Sequence, residues 1–246
     1  MTNEQVIEKL KDDNEYYNGI GRSYLSNSDI GTLIRNPKAF GQKNEPTLAM
    51  LQGSYFHTAC LEPLKLKNFV LVDASTRTTN IYKDACKDYG VDFLLLKKES
   101  EEVDQMVLAL RGNKDLSKLV WDNGVQYEVP VIGSFGDLMC KGKCDIINGD
   151  MIYDLKTTTS LDDFKYSATK YNYDSQTTIY EHLTGKRMAF IVIEKGTNRL
   201  ALFNVTDEFR QRGLTKVGQA MDAYKKFYGP MPTHDVSQYF LESYLF

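Results

Sequence analysis

Residues 141–156, KGKCDIINGDMIYDLK, set an Asn-Gly dipeptide between two runs that alternate in polarity. Asn-Gly favours φ > 0 at both turn positions, so Asn148-Gly149 predicts a tight β-hairpin. A two-residue loop there pairs Ile147 with Asp150, Asp145 with Ile152, Lys143 with Asp154 and Lys141 with Lys156. Side chains alternate along a strand, and paired residues share a face. Lys141, Lys143, Asp145, Asp154 and Lys156 are therefore expected on one side. Cys144, Ile146, Met151, Tyr153 and Leu155 fall on the other, as core. Asp145 and Asp154 become diagonal neighbours, roughly 7–8 Å apart at the backbone. Two carboxylates at that range can converge on a hard divalent cation such as Mg2+, which takes oxygen ligands and keeps several waters. The Leu155 carbonyl is placed to add an oxygen. Lys156 can orient or deprotonate a water, or neutralise charge building on phosphorus. The competing reading is a solvated face with cross-strand ion pairs.

A chain of 246 residues can bury a substantial core, as one domain or one with an appended lobe. Its 42% hydrophobic and 26% charged residues are those of a soluble globular protein. A net charge of −3 gives no global attraction to nucleic acid, so any such binding must come from local basic patches. The amino terminus, MTNEQVIEKLKDD, has no apolar core of a secretion signal. No apolar run approaches the roughly 20 residues that span a bilayer. Cys60, Cys86, Cys140 and Cys144 match no common zinc spacing. Reduced thiols in a cytoplasm are the expectation.

In chain order, residues 3–13 read as a short polar helix. Ser26 and Asp29 form a candidate capping box ahead of Ile30, Leu33 and Ile34, and Pro37 ends that helix. Residues 48–62 have helical spacing of Leu48, Leu51, Tyr55, Ala59 and Cys60. Gly53 lies about one turn before His57, and a lone histidine there is more often a packed residue than a ligand. Residues 67–72 read as a short strand and 73–80 as a loop around Arg77. Helices follow at 81–89, 98–111 and 115–121; Glu99, Glu101, Glu102 and Asp104 read as a solvated acidic turn. A strand at 125–132 carries Glu128. The hairpin strands are 138–147 and 151–156. Helices at 162–165 and 174–183 come next, with Gln176 and Tyr180 on one face. A second hairpin, 188–194 with 199–205, precedes an amphipathic helix at 207–228. The aromatic tail 238–246 docks on the core or on another subunit. This order predicts a mixed α/β core with a helical amino-terminal lobe.

Several of these residues fall into a recognisable series. Gly53-x-x-x-His57, Glu128 on a strand, Gly142-x-x-Asp145, Asp154-Leu155-Lys156 and Gln176-x-x-x-Tyr180 occur in that order. Ser26-x-Ser28-x-Ile30 and Asn36-Pro37-x-x-Phe40 precede them. Each motif alone is weak, but the ordered set over residues 24–205 resembles the PD-(D/E)XK nuclease superfamily, in particular its RecE-type and RecB-like phage and prophage exonucleases. The resemblance implies a restriction-endonuclease-like core, a mixed central sheet flanked by helices. It implies one nuclease domain over 1–246, with a helical part at 1–122 and the sheet core at 123–246. His57, Asp145 and Asp154 would then hold Mg2+, with Mn2+ as a substitute, and Glu128 would sit beside them. Lys156 would act on the attacking water. Gln176 and Tyr180 would hold the DNA backbone or position active-site groups.

The same resemblance implies a 5′→3′ exonuclease on linear double-stranded DNA that leaves 3′ single-stranded tails for recombination. A homo-oligomeric ring around the duplex and a single-strand annealing partner are further implications, and a ring would replace net charge in retaining DNA. Lys141, Lys143, Lys165 and Lys170 flank the site as phosphate contacts. Arg77 and Arg35 are candidates for a terminal phosphate, against plain surface solvation. Iron–sulfur relatives place three cysteines near the carboxyl end; none lies beyond Cys144, so no cluster is expected. The alternatives are a structure-specific or flap endonuclease and a catalytically inactive DNA-binding module. The presence of Asp154 and Lys156 argues against the last.

Overall fold

A computed structural model describes residues 1–42 and 46–242 of the chain. The amino-terminal part carries helices α1 (Asn3–Leu10), α2 (Asp13–Tyr17), α3 (Asn27–Arg35) and α4 (Leu48–Leu61). Strand β1 (Leu71–Val72), helix α5 (Asn80–Tyr89) and strand β2 (Leu95–Leu96) follow, then helices α6 (Lys97–Gly112) and α7 (Lys114–Trp121). The central sheet is built from β3 (Gln126–Phe135), β4 (Leu138–Asn148), β5 (Met151–Thr158), β6 (Arg187–Glu194) and β7 (Leu200–Asn204). Helices α8 (Phe164–Lys170) and α9 (Tyr173–Thr184) connect β5 to β6, and α10 (Asp207–Phe227) closes the series.

The five strands lie in sequence order, antiparallel except for the β5–β6 pair. A parallel pair needs a crossover, and α8 with α9 supply it. Both faces of the sheet are covered, so β6 is apolar and buried over almost its whole length. One face packs Ile146, Tyr153, Leu155 and Ile191 against Phe56 of α4, Val103 and Leu110 of α6 and Val120 of α7. The other packs Ile152, Met188, Phe190 and Val192 against Ile30 and Leu33 of α3, Ile179 of α9 and Val217 and Ala220 of α10.

The hairpin forms one step later than Asn148-Gly149 predicts. Asn148 pairs with Met151, so Gly149 and Asp150 make the turn, and only Gly149 takes positive φ, at +57°. Asn148 is held in the strand because its side-chain amide donates to the carbonyls of Lys118 and Leu119 at the end of α7. Each β5 partner moves by two residues, which preserves parity. Asp145 and Asp154 thus become the positions following the last ladder pair, Ile146 with Tyr153, rather than diagonal neighbours. There the strands part. The Leu155 N–H donates to the Asp145 carboxylate, 2.9 Å, instead of to a strand carbonyl.

The five charged residues line one cleft, but the expected single apolar face needs correction. Cys144 packs in the core beside Tyr180, whereas Ile146 packs in the opposite core. The alternation therefore inverts across Asp145. Opposite it, Glu128 adopts a left-handed backbone, φ +50°, and the β3–β4 ladder skips that step. Beyond the fork, Leu25 takes the place next to β4, bridging Cys140 and bringing the start of α3 to the opening.

Smaller departures follow from local bonding. Residues 63–68 form a 3-10 turn and only Leu71–Val72 is strand, paired in parallel with β2. The helix expected at 162–165 runs from Phe164 to Lys170, because Phe164 and Ala168 are the buried pair. Glu99 is buried rather than solvated: it accepts from Leu96 N and Gln52 and pairs with Arg77. The short helix α2 has no counterpart in the sequence reading. Of the aromatic tail, residues 243–246 lie outside the described residues.

Candidate active site

The fork between β4 and β5 opens a cleft of about 680 Å3, walled by α2, the start of α3, α4 and α9. Capping by Thr47 starts α4 and directs His57 from its middle toward the sheet. His57 Nδ1 lies 3.3 Å from Asp145 Oδ2. The ligand atoms of His57, Glu128 and Asp145 all fall within 4.8 Å of one another. Asp154, 1% exposed, stands beside them on β5. Its Oδ1 accepts from the Gln176 amide. Its buried Oδ2 pairs with the Lys156 ammonium.

The electrostatics of this group are those of a site with too much negative charge. Burial, reinforced by Asp145, pushes the Glu128 carboxyl up to about 8. Burial and the Asp154 charge push Asp145 up to about 6, against the pull of His57 and Lys156. Burial alone would lower the Lys156 amine, but Asp154, Tyr173 and Asp145 outweigh it and hold it above the ordinary lysine range. Glu128 also occupies a left-handed conformation that costs a non-glycine residue about 1–3 kcal/mol and recurs at functional positions. A divalent cation would relieve the crowding of negative charge on Glu128 and Asp145. One imidazole nitrogen, two carboxylates pushed toward neutrality and the buried Asp154 carboxylate beside them are a donor set suited to a hard or borderline metal.

The Gly142-x-x-Asp145 and Gln176-x-x-x-Tyr180 motifs meet as one packing unit. The Tyr180 hydroxyl accepts from Lys143 N at 3.2 Å, and its ring lies flush on Gly142. A Cβ at Gly142 would come 2.5 Å from that ring. Gln176 and Tyr180 thus touch Asp154 and β4. Leu155 meets Asp145 through its N–H.

The basic residues divide. Lys141 and Lys143 line the cleft. Lys141, 5% exposed, donates to the Tyr16 carbonyl at 2.6 Å and sits 4.3 Å over the Tyr16 ring, and burial lowers its pKa. Lys143 pairs with Asp13 of α2. Lys165 and Lys170 lie on α8, outside the cleft lining, each over a neighbouring tyrosine. Arg77 is not at the cleft: its guanidinium is tied to Glu99 at 2.6 Å. Arg35 is exposed at the far end of α3 and does not line the cleft. Sequence reasoning missed Asp13 and Tyr16, and also Tyr173, whose ring lies 4.7 Å from the Lys156 ammonium. Adjacent tyrosines in an otherwise polar amino-terminal helix were the one available signal for α2.

Over residues 36–229 the sequence matches the family described as a PDDEXK-like domain of unknown function, DUF3799. The chain belongs to this family. No curated protein matches it. Among solved structures, a provisionally named exonuclease from Eubacterium rectale is 19% identical and superposes with a TM-score of 0.65, covering 87% of this chain and 85% of its own. A phage-related exonuclease from Haemophilus somnus 129PT is 15% identical over 82% of this chain and 94% of its own, with a TM-score of 0.36, too loose an overlap to bear on the fold. The PDDEXK-like chain has the fold of a PD-(D/E)XK nuclease, a five-stranded mixed sheet flanked by helices, with Asp145, Asp154 and Lys156 at the fork of that sheet. No helix among the described residues is long and apolar enough to cross a membrane.

Proposed function

We propose that this protein is a Mg2+-dependent exonuclease that degrades one strand of linear duplex DNA in the 5′→3′ direction and leaves 3′ tails for recombination. The observation that carries the reading is the convergence of His57, Glu128, Asp145, Asp154 and Lys156, from four separate elements, at one fork in the sheet. His57, Asp145, Asp154 and the Leu155 carbonyl would hold the metal, with Glu128 beside them directly or through water. Bound there, Mg2+ or Mn2+ would supply a lowered water pKa and charge neutralisation at phosphorus. Lys156, paired with Asp154, orients the attacking water and faces the charge that builds on the phosphate. Gln176 fixes the Asp154 carboxylate, and Tyr180 fixes the strand that carries Asp145. Lys141 and Lys143 supply phosphate contacts inside the cleft.

The 5′→3′ polarity, a ring of subunits and a single-strand annealing partner rest on the likeness to RecE-type enzymes and on one physical argument. A subunit of net charge −3 lacks the electrostatic grip for processive work, and encirclement replaces it. One nuclease domain over 1–246 is supported by a core that joins α4, α6 and α7 to the sheet. Four free, buried cysteines suit a reducing cytoplasm.

Duplexes labelled at either 5′ or 3′ ends, linear and covalently closed, test the reading with Mg2+, Mn2+ or EDTA. Metal-dependent loss of 5′ label from linear DNA, with circles intact, is expected. Cutting of circles would make the protein an endonuclease, and untouched ends in every metal would refute a nuclease.

A further inference from the structure

Past the catalytic fork, at the carboxyl end of β5, lies a second cavity of about 160 Å3, faced by Thr157, Thr159, Ser167, Tyr171, Tyr173 and Lys195. Tyr173 is a wall of both spaces: it lines the cleft and the smaller cavity. On the cleft side its ring meets Lys156 at 4.7 Å. Its position is set by the core, where it stacks on Phe190 at 5.6 Å and 26°. Tyr171 lies next to it, ring centroids 6.2 Å apart and planes 35° from parallel, and is 56% exposed. Lys195 donates to Gln52 Oε1 at 3.3 Å rather than to a carboxylate among the described residues. Of the nearby acids, Asp162 and Glu194 are both engaged by Arg199, and Asp163 is exposed outside the lining. No carboxylate lines the cavity.

An exposed aromatic ring, a cation without an acidic partner and a row of hydroxyls form a surface for an unpaired nucleotide. The base stacks on the ring, and the phosphate or sugar meets the ammonium and hydroxyls. Resting on the nuclease reading above, we propose that this cavity holds the nucleotide adjoining the scissile phosphate, with its base stacked on Tyr171 and its backbone facing Lys195. Stacking on Tyr171 requires a base released from its neighbours, so the strand entering the fork is single at this point. The site selects nucleic acid by its bases, where the metal cluster reads only the phosphate.

Binding of a single-stranded oligodeoxynucleotide containing 2-aminopurine, in EDTA so that nothing is cut, reads the stack through quenching. Tyr171→Leu should lower affinity about 5- to 100-fold, the range for one stacked base, and abolish the quench. Tyr171→Trp should retain both. Tyr166→Leu removes an exposed tyrosine of α8, five residues before Tyr171, that does not line the cavity, and should change neither. Lys195→Gln should reduce the salt dependence of binding by about one phosphate contact. Wild-type affinity in Tyr171→Leu, an equal loss in Tyr166→Leu, or failure of the wild type to bind would each overturn the proposal. Cleavage of duplex ends is scored apart. Uncut DNA with Tyr171-dependent binding sinks the nuclease reading and leaves this site standing; cut DNA with Tyr171-independent binding does the reverse.

Discussion

Replacing Glu128 by glutamine keeps the side chain's shape and removes one ionisable carboxyl from a crowded acidic cluster. In the metal-free fold, burial and the Asp145 charge raise that carboxyl from 4.5 to about 8. An acid whose folded pKa is raised imposes no penalty below its unfolded value. The penalty grows as pH rises and is complete above the folded pKa. At pH 7, 2.5 units above the unfolded value, it amounts to at most about 3 kcal/mol. Solvent reaches Glu128 in part, and screening there reduces the figure to about 1–3 kcal/mol. Glu128→Gln should therefore be more stable than the wild type by that amount at pH 7 in EDTA, and equal to it near pH 4.5. Urea unfolding followed by circular dichroism from pH 4.5 to 8 measures the gap. Mg2+ or Mn2+ should then stabilise the wild type more than the variant, because the cation displaces the proton from a carboxylate the variant lacks. Stability curves that run parallel with pH, or a variant weaker than the wild type at pH 7, would show that Glu128 is a structural hydrogen-bonding group and that the cluster is not poised for a cation.

Gly142→Ala should destabilise the protein by about 1–3 kcal/mol, since the new methyl group meets the Tyr180 ring at 2.5 Å. In a double-mutant cycle with Tyr180→Ala the two costs should fall short of additive by more than about 0.5 kcal/mol; additivity would disprove the contact. Asp154→Ala should abolish cleavage and also cost about 3 kcal/mol, because it leaves the Lys156 ammonium buried without its counter-charge; chemical unfolding at pH 7 checks the second part. Lys156→Ala should lose cleavage yet retain Mn2+ binding by calorimetry, as its ammonium is no ligand. Tyr153→Ala, distant from the chemistry on the opposite face of β5, should cost about 3–5 kcal/mol in unfolding and leave the metal affinity unchanged.

The hairpin shows why part of the site was readable from local pattern and part was not. The turn was misplaced by one residue, yet Asp145 and Asp154 still came together, because moving the turn by one residue shifts each partner by two and alternation survives such a shift. Asn148 decided the true register by capping α7, a contact to a segment thirty residues away. Glu128 could be placed on a strand, but its left-handed backbone and the inversion of faces across Asp145 have no signature in the residue types. The charged positions misled where pairing intervened: Arg77 and Glu99, both assigned to solvent or substrate, pair with each other, and Gln52 of α4 donates to Glu99. Lys141 and Lys143 reached the cleft because α2, invisible to hydrophobic periodicity at five residues, covers them with Tyr16.

Residue order alone determined the α/β class, the strands and long helices, and the set of acids, histidine and lysine that belong to one chemistry. The elements follow from periodicity and short-range turn and cap preferences, which act over a few neighbouring residues; the grouping of His57 and Glu128 with Asp145, Asp154 and Lys156 follows from the ordered motifs that resemble PD-(D/E)XK nucleases. Only the folded chain decided where β4 and β5 part, which cations face the opening and which are consumed by ion pairs, and how far the carboxyls are driven from their ordinary pKa values. These depend on burial and on charges brought together from positions as distant as His57 and Asp145, and neither quantity exists until the core has closed around them.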